Sequence, residues 1–404
     1  PVHGFITVPK GIILRLIDHP YIQRLRRIRQ LGLGYLVFPA AEHSRFSHAL
    51  GALELAKRVL NNLLEKDTTI TKKEYEGTLI AILLHDVGHG PLSHTLEHSL
   101  IKDFNHEMMS LTIMKELNQE FKGELDTAIA IFTNQYKKKF LHQLISSQLD
   151  LDRLDYLSRD SFFTGVSEGR IGINRILKTM RVHKGNIVIE KKGIYAIENY
   201  IIARRLMYMQ VYLHKTVLSA DALIRSVFKR VRDLLDSGQH LDFASESLRF
   251  FMEDQPSAKK QITKKMMQAY TSLDDYDIYL NIKFWTQSND KILAELCTRF
   301  LNRSLFRTTF FENQPTNKEQ EEIHRQTKLS LKKLGLPYGD EAASYFYSFD
   351  QSYSEAYKYQ NESIWILEDE NAVEFSKAAD TKNIIALTEP VVKNYCVHLK
   401  EIKI

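Results

Sequence analysis

Apolar residues between positions 79 and 87 recur with the spacing of an α-helix, and polar residues able to bind a metal follow at its end. Ile80, Leu83, Leu84 and Val87 stand at i, i+3, i+4 and i+7, which places them on one face. Residues 85, 86 and 89 fall on the opposite face, which is also apolar. We therefore predict a buried helix that ends in polar groups, with glycines at 88 and 90 stopping it.

The polar side chains of this stretch are His85, Asp86 and His89. They need partners, because an unpaired polar group inside a protein is costly. A divalent cation can satisfy imidazole and carboxylate together, and the negative end of a helix favours a cation. The alternative is a hydrogen-bonded pair of core residues. His48, followed by small and apolar residues on another predicted helix, is a further ligand candidate.

Helical periodicity covers most of the chain before residue 305. The pattern predicts helices over residues 11–31 (interrupted at His19 and Pro20), 44–64, 105–117, 198–213, 220–235, 244–253, 259–268 and 291–301. A small strand is predicted over 5–8. A hairpin is predicted in which 186–190 and 194–197 flank Lys191-Lys192-Gly193.

Residues 146–160 combine several aspartates and two arginines with regularly spaced leucines. Ion pairs along an amphipathic helix, such as Asp155 with Arg159, explain part of this charge. The segment is too apolar for every carboxylate to be solvated. One carboxylate that faces inward could therefore serve as a hard oxygen ligand.

The pattern changes after about residue 305. A strand-like stretch over 306–312 precedes a capping box, Thr316 to Glu319, which opens a helix ended by Gly335 and Pro337. Further strands are predicted over 345–349, 364–367 and 384–387, with a short helix near 373–379. We predict two domains, 1–305 and 306–404. The expected fold class is mostly α: a helical bundle with a small β-hairpin and a C-terminal α+β appendage of the β-α-β-β-α-β kind.

Composition adds few restrictions. The 404 residues are 44% hydrophobic and 26% charged, and the net charge of +5 suits an anionic substrate without indicating nucleic acid. Cys297 and Cys396 belong to no motif, so we expect a reducing, cytoplasmic compartment. No apolar run approaches a membrane span, so no membrane partner is expected. Because residue 1 is Pro1 and not Met, we expect the sequence to begin inside a longer gene product.

Four separated strings resemble the HD-domain metal-dependent phosphohydrolases. They are Ser44-Arg45-Phe46-Ser47-His48-Ala49-Leu50-Gly51, His85-Asp86-Val87-Gly88-His89-Gly90-Pro91-Leu92-Ser93-His94, His106-Glu107, and Asp152 through Asp160. Together they are similar to the branch that contains the deoxynucleoside triphosphate triphosphohydrolases. The likeness runs from about residue 1 to 215, weakens to about 305, and is only architectural beyond. It implies an HD-domain helical bundle, and no sterile-alpha-motif sequence is found in these 404 residues.

The resemblance implies a role for each matching position. The implied metal ligands are His48, His85, Asp86 and Asp152. The implied catalytic residues at the reacting phosphate are His89, His106 and Glu107. The implied substrate-binding residues are Gln30 and Leu31 near the sugar, Arg45, His94 and Arg153 at the phosphates, and Tyr156, Asp160, Arg204 and Tyr212 around sugar and phosphate. The implied cofactor is one divalent ion, and His and Asp ligands suit Fe, Mn, Zn, Ni or Co, with Mg a weaker fit.

Two positions depart from the family's pattern. Arg153 stands where Lys is common, and Leu213 stands where the vertebrate enzymes have Gln beside the base, so base contacts are expected to differ. The family's regulatory nucleotide site uses residues just upstream of Pro1. A regulatory nucleotide is therefore an additional partner that this sequence leaves open.

The implied reaction is hydrolysis of a dNTP to deoxynucleoside and triphosphate by attack of metal-activated water on the α-phosphate. His106, oriented by Glu107, or His89 would pass a proton to the leaving oxygen. Tyr156 or Tyr212, packed against the 2′ side of the sugar, would exclude ribose. Relatives assemble as dimers or tetramers, so a homo-oligomer is expected.

Two other functions stay open at this point. A phosphohydrolase for another nucleotide, such as a nucleoside monophosphate or a cyclic nucleotide, would use the same ligands and differ in its products. A nucleotide- or nucleic-acid-binding regulator could retain the fold, but binding alone does not need an open metal site. Replacing Asp152 separates the cases, because an enzyme loses turnover whereas a binder keeps its affinity.

Overall fold

The structure is a computed structural model that describes residues 2–92, 95–97, 101–241, 243–254, 256–258, 262–354, 357, 363–379 and 390–402. Helices make up most of its secondary structure, and the strands form two small sheets. The predicted fold class, mostly α with a small β-hairpin and a C-terminal α+β appendage, is confirmed.

Helices fill the part of the chain before residue 305. They are α1 (Ile12–Asp18), α2 (Pro20–Gln23), α3 (Arg45–Glu65), α4 (Lys72–Leu84), α5 (His106–Glu120), α6 (Asp126–Phe132), α7 (Lys139–Gln143), α8 (Leu151–Thr164), α9 (Ile173–Thr179), α10 (Ile194–Met207), α11 (Lys215–Asp236), α12 (Glu246–Glu253), α13 (Lys264–Ser272), α14 (Asp275–Trp285) and α15 (Lys291–Leu301). The predicted break at His19 and Pro20 separates α1 from α2, because Pro20 lacks the N–H that a continuing helix would need.

The centre of the bundle is α3, which packs against both α4 and α8. Residues 79–84 of α4 are all buried, as predicted for this stretch. The helix ends at Leu84, before the glycines that were expected to stop it, and residues 85–88 continue as turns. His85 and Asp86 therefore lie just past the last helical residue, beside the carbonyl groups that a helix leaves unpaired at its end.

The predicted hairpin forms with a different partner strand. β1 (Met180–His183) pairs antiparallel with β2 (Asn186–Glu190), whereas residues 194–197 begin helix α10. The turn is Lys184-Gly185, and both residues have positive φ, 48° and 81°. Such a turn matches the twist of two antiparallel strands. The predicted strand over 5–8 was also wrong, because these residues pair with no strand in the described part of the chain.

A π-helical turn, Tyr208–Tyr212, follows α10 where a continuous α-helix to about residue 213 was predicted. Its wider winding changes the direction in which Tyr208 and Tyr212 project. Single π turns of this kind occur frequently at functional sites.

The region after residue 305 contains β3 (Arg307–Phe311), α16 (Asn317–Lys333), α17 (Asp340–Ala343), β4 (Tyr347–Ser354), β5 (Trp365–Glu368), β6 (Asn371–Glu374), α18 (Phe375–Ala378) and β7 (Val391–His398). The predicted capping box at Thr316 and Glu319 opens α16. β7, which the sequence did not predict, is the central strand of a three-stranded antiparallel sheet ordered β3-β7-β4. The strand predicted over 384–387 lies outside the described residues.

The strands of the C-terminal region divide between two sheets, which corrects the expected single β-α-β-β-α-β unit. β5 and β6 join the hairpin of the helical region in a sheet ordered β1-β2-β5-β6. β5 runs parallel to β2, with Ile366 opposite Ile189 and Leu367 opposite Glu190. This sheet thus connects both sides of residue 305.

Among the described residues, no helix has the length and apolar character needed to cross a membrane.

Candidate metal centre

Three predicted ligands from three separate segments converge on one point. Ligand atoms of His48, His85 and Asp152 all lie within 4.8 Å of one another. The Nε2 atoms of the two histidines are 3.3 Å apart. Asp152 Oδ1 lies 3.1 Å from Nε2 of His48 and 3.5 Å from Nε2 of His85.

The fourth predicted ligand, Asp86, lies beside this cluster. Its Oδ1 is 3.5 Å from His85 Nε2, and its Oδ2 is 3.7 Å from His48 Nε2. Arg45 forms an ion pair with Asp86, and His89 Nδ1 lies 3.2 Å from Asp86 Oδ1. Asp86 therefore touches the cluster and also links it to two other predicted site residues.

Helix ends position the ligands. Ser44 caps the N-terminus of α3 through a hydrogen bond from Ser47 N, and His48 follows in the first turn. Asp150 caps α8 in the same way through Arg153 N, and Asp152 lies in its first turn. An N-cap of this type fixes where a helix begins, and with it the direction of the next side chains.

The two imidazoles are held with Nε2 directed at the cluster. His85 Nδ1 is 2.6 Å from the carbonyl oxygen of Ile82, and His48 Nδ1 is 2.7 Å from Asp155 Oδ2. Both partners are acceptors, so Nδ1–H donates to them and leaves the Nε2 lone pair for another partner. Metal-binding histidines commonly have this arrangement. The donor set of two imidazoles and adjacent carboxylates fits a divalent cation.

The electrostatics also favour a cation. Burial lowers the pKa of His48, but hydrogen bonds with Asp152 and Asp155 outweigh it and raise that pKa to about 10. Burial raises the pKa of Asp152, but His48 and His85 hold it below its ordinary value. The carboxylates of Asp152 and Asp155 therefore stabilise positive charge at this point.

Of the three predicted catalytic residues, His89 contacts Asp86 and His106 lies against His89. The rings of His89 and His106 stack with centroids 3.9 Å apart. A Cβ on Gly88 would lie 2.2 Å from the carbonyl oxygen of His106, so glycine is needed for α5 to approach this closely. His106 Nδ1 donates to Glu97 Oε1 at 3.0 Å. The structure therefore gives His106 an orienting partner other than the expected Glu107, whose side chain is exposed, and the catalytic role of Glu107 stays a prediction.

Buried polar groups of two side chains on the expected substrate side have no hydrogen-bond partner among the residues that the structure describes. They are Oε1 of Gln30 and the Nε and Nη1 groups of Arg204. Leu31, predicted beside Gln30, is half-buried and packs against the core. Because buried polar groups are rarely left unpaired, Arg204 is suited to an anionic group of a ligand and Gln30 Oε1 to a hydrogen-bond donor such as a hydroxyl.

Two of the residues expected around sugar and phosphate, Tyr156 and Tyr212, form an aromatic wall beside Asp160. Tyr212 donates its hydroxyl to Asp160 Oδ2 at 2.8 Å, and His43 Nε2 lies 2.7 Å from Asp160 Oδ1. Tyr156 and Tyr212 meet edge to face with ring centroids 6.2 Å apart. Burial and the Asp160 carboxylate raise the pKa of Tyr212 well above its ordinary value, so the hydroxyl remains a donor.

The predicted phosphate-binding residues have different surroundings. Arg45 is buried against Asp86. Arg153 pairs with Asp150 and donates to the carbonyl oxygen of Ser147. His94 lies outside the described residues. The binding roles of all three stay predictions.

Sequence reasoning missed the residues that support the ligands. It predicted the pair of Asp155 and Arg159, which the structure confirms with two contacts of 2.8 Å, but not that Asp155 also holds His48. It also missed Glu97 and His43. The available signal for Asp155 was its position three residues after Asp152, which places both carboxylates on one side of α8.

A cavity of about 760 Å³ lies elsewhere, lined by residues that include His142, Lys184 and Trp365. None of its described lining residues is a candidate ligand. The candidate metal centre is therefore identified by the convergence of donor atoms and not by cavity size.

Comparison with known proteins agrees with this geometry. Residues 45–160 match the model of the HD domain, and residues 171–269 match that of the HD associated region. His48, His85, Asp86 and Asp152 all lie within the first match.

Relatives extend this match over most of the chain. The uncharacterised protein YwfO of Bacillus subtilis is 36% identical over 343 residues, covering 83% of this chain and 76% of YwfO. The human deoxynucleoside triphosphate triphosphohydrolase SAMHD1 is 28% identical over 379 residues. That alignment covers 82% of this chain but 57% of SAMHD1.

Solved structures show the same architecture. A phosphohydrolase from Bacteroides thetaiotaomicron is 40% identical, with a TM-score of 0.93 and 98% of both chains covered. A hypothetical protein from Aquifex aeolicus is 28% identical, with a TM-score of 0.72 over 99% of this chain and 95% of its own. The chain therefore belongs to the HD-domain phosphohydrolase family, in the branch in which an HD-associated region follows the HD domain.

Proposed function

We propose that this phosphohydrolase hydrolyses a deoxynucleoside triphosphate to the deoxynucleoside and inorganic triphosphate. The observation that carries the proposal is the convergence of His48, His85 and Asp152 within 4.8 Å. The substrate class is supported by the buried groups of Gln30 and Arg204 that lack a hydrogen-bond partner among the described residues. It is also supported by the similarity to human SAMHD1, whose name states this activity.

The metal centre has the residues that phosphate hydrolysis needs. His48, His85 and Asp152 would hold a divalent ion with Asp86 alongside, and such an ion supplies a Lewis acid for phosphate oxygens and a more acidic water. The remaining work falls to the chain's own side chains, which bind the nucleotide, orient it and move a proton.

Binding of the polyphosphate is assigned to arginines. Arg204 offers two buried N–H groups, and an anionic phosphate is the partner that matches their charge and geometry. Arg45 already pairs with Asp86 and so sits beside the metal ligands. We assign Arg153 the same role, and in this structure its guanidinium pairs with Asp150.

Proton transfer is assigned to the stacked pair of His89 and His106. Glu97 accepts from Nδ1 of His106, which fixes the tautomer and leaves Nε2 to exchange a proton with the leaving oxygen. We do not assign this orienting role to Glu107.

Sugar selection is assigned to the aromatic wall. Asp160 holds the hydroxyl of Tyr212, so this ring has little freedom to move away from a 2′-hydroxyl. Gln30 Oε1 requires a donor, and a sugar hydroxyl supplies one. The proposed substrate is therefore a deoxyribonucleotide. The predicted regulatory nucleotide, homo-oligomer and cytoplasmic location stay predictions.

Product analysis tests the proposal. The metal-stripped chain is incubated with each dNTP, each rNTP, a nucleoside monophosphate and a cyclic nucleotide, in the presence of Mn²⁺, Fe²⁺, Co²⁺, Ni²⁺, Zn²⁺ or Mg²⁺. We expect deoxynucleoside and triphosphate from dNTPs alone, measured by anion-exchange chromatography. Pyrophosphate with dNMP, or turnover of the other substrates without dNTP turnover, would refute the proposed reaction.

The variant Asp152→Asn tests the role of the metal centre. We expect it to lower kcat/KM more than roughly 100-fold, because losing even an outer contact of a metal ligand costs 10- to 100-fold. Asp350→Asn is the matched control, since Asp350 forms a surface pair with Arg225. Full turnover by Asp152→Asn would remove this cluster from the mechanism.

A further inference from the structure

Asp155 is a fully buried carboxylate that joins three cationic or polar side chains. Its Oδ2 lies 2.7 Å from Nδ1 of the metal-site residue His48, and Arg159 spans both of its oxygens at 2.8 Å. Its Oδ1 also lies 2.6 Å from Nε2 of His3, at the start of the described chain. The His3 side chain is only 4% exposed. A carboxylate with this many partners has one orientation, and that orientation decides where His48 Nδ1–H donates.

His3 belongs to the N-terminal segment, residues 2–9, which forms no helix or strand. Polar contacts hold this segment on α3, the helix that carries His48. Arg58 donates to the carbonyl oxygen of His3 at 2.6 Å, and Lys57 donates to that of Thr7 at 2.5 Å. Glu54 in turn pairs with both Lys57 and Arg58. The segment is thus attached at its backbone and inserts one side chain toward the metal centre.

We propose that His3 is a positioning residue for the metal centre, acting through Asp155 on His48. His3 contacts Asp155, and Asp155 in turn contacts the proposed metal ligand His48. His3 is a hydrogen-bond partner of Asp155 Oδ1, whose other partner is Arg159. Without His3, the carboxylate can turn toward Arg159, and His48 loses the acceptor that directs its Nε2. The N-terminal segment and the metal centre are therefore coupled, so that displacing residues 2–9 from α3 weakens metal binding. This inference rests on the proposed metal centre but not on the identity of the substrate.

The test is titration of the metal-stripped chain with Mn²⁺ by calorimetry, combined with the melting temperature of the metal-free protein. We expect His3→Ala to weaken Mn²⁺ binding about tenfold, the lower end of what outer contacts of metal ligands contribute. His3→Gln, which keeps an N–H donor near the position of Nε2, should restore most of the affinity. His3→Phe, which fills the space without a donor, should not.

His324→Ala is the matched control, because it removes a His–Asp contact of 2.9 Å between His324 of α16 and Asp340 of α17. We expect it to leave Mn²⁺ affinity unchanged. Wild-type Mn²⁺ affinity in His3→Ala, with at most a lower melting temperature, would overturn the positioning role. Failure of the wild-type chain to bind Mn²⁺ would overturn the metal centre and this inference together. If the wild type binds Mn²⁺ but cleaves no dNTP, only the proposed substrate fails, and the affinity of His3→Ala still decides the role of His3.

Discussion

At the residue scale, the candidate metal centre depends on a glycine that is not itself a predicted ligand. Gly51 lies one turn after His48 on α3, facing the pair of Asp155 and Arg159. A Cβ at this position would lie 1.9 Å from Asp155 Oδ1 and 2.2 Å from Arg159 Nη2. Neither side chain can move away freely, because both are buried and joined by two hydrogen bonds.

We therefore expect Gly51→Ala to lower the free energy of unfolding by about 2–4 kcal/mol, the range for overpacking a core or disturbing a buried ion pair. Urea unfolding of the metal-free protein measures this loss. Gly339→Ala is the matched control, since its Cβ would meet no atom within 4 Å. Equal stability of the two variants would show that the Asp155–Arg159 pair adapts.

The side chains that converge at the candidate metal centre could be predicted from the sequence, and the residues that support them could not. His48, His85 and Asp152 stand in recognisable strings whose apolar surroundings make a solvated role costly. His3 contacts Asp155 across 152 positions. Glu97 contacts His106, which is nine positions further along the chain, but the two residues belong to different sequence motifs. Such partners are set by how elements pack, and packing leaves no periodic trace in the sequence.

At the element scale, helix α4 begins in a buried polar cluster as well as ending in the metal centre. Glu74 forms a capping box with Thr71 and is also bound by Tyr136 at 2.9 Å and Lys138 at 2.7 Å. Burial raises the pKa of Glu74, but these contacts outweigh it and lower that pKa from 4.5 to about 2. The ionised form is thus favoured by folding.

This pKa shift predicts a pH-dependent stability. Because the folded pKa is the lower one, the contribution of Glu74 is fully present above pH 4.5 and is lost as the pH falls toward 2. Its size is about 3 kcal/mol, from 1.36 kcal/mol per pKa unit. Urea unfolding should show Glu74→Gln to be less stable than the wild type at pH 6, with the difference shrinking by pH 3.

The control for this variant lies on the same helix. Glu76→Gln removes a carboxylate whose side chain makes no hydrogen bond to the described residues, so we expect no pH-dependent loss. A constant difference between Glu74→Gln and the wild type across this pH range would contradict the prediction.

Helices could be predicted better than strands, for a physical reason. The apolar repeat of α11 and α15 reflects one buried face, and recognising it needs no knowledge of a distant partner. A strand is stabilised by pairing, so the sequence of β7 did not reveal that β3 and β4 would flank it. In the same way, both Lys184-Gly185 and Lys192-Gly193 could form a hairpin turn. Only Lys184-Gly185 lies between two strands that pair with each other.

At the scale of the whole molecule, contacts across residue 305 join the helical region to the C-terminal region. The parallel pairing of β2 with β5 is one connection. Thr308 donates to the carbonyl oxygen of Lys215 at 2.7 Å, and Tyr345 donates its hydroxyl to Asp233 at 2.5 Å. The division predicted at this residue stays a prediction, but the contacts indicate that the two parts depend on each other.

We therefore expect the chain to unfold in one calorimetric transition, with equal calorimetric and van't Hoff enthalpies. Tyr345→Phe should lower the stability of that single transition by about 2 kcal/mol, because a hydrogen bond to a charged group is lost. Tyr338→Phe, which removes an exposed hydroxyl from the same region, should leave it unchanged. If two parts unfolded independently, Tyr345→Phe would shift one of two resolved transitions and leave the other in place. That result would show that the β1-β2-β5-β6 sheet, which has strands from both sides of residue 305, does not couple the metal centre to the C-terminal region.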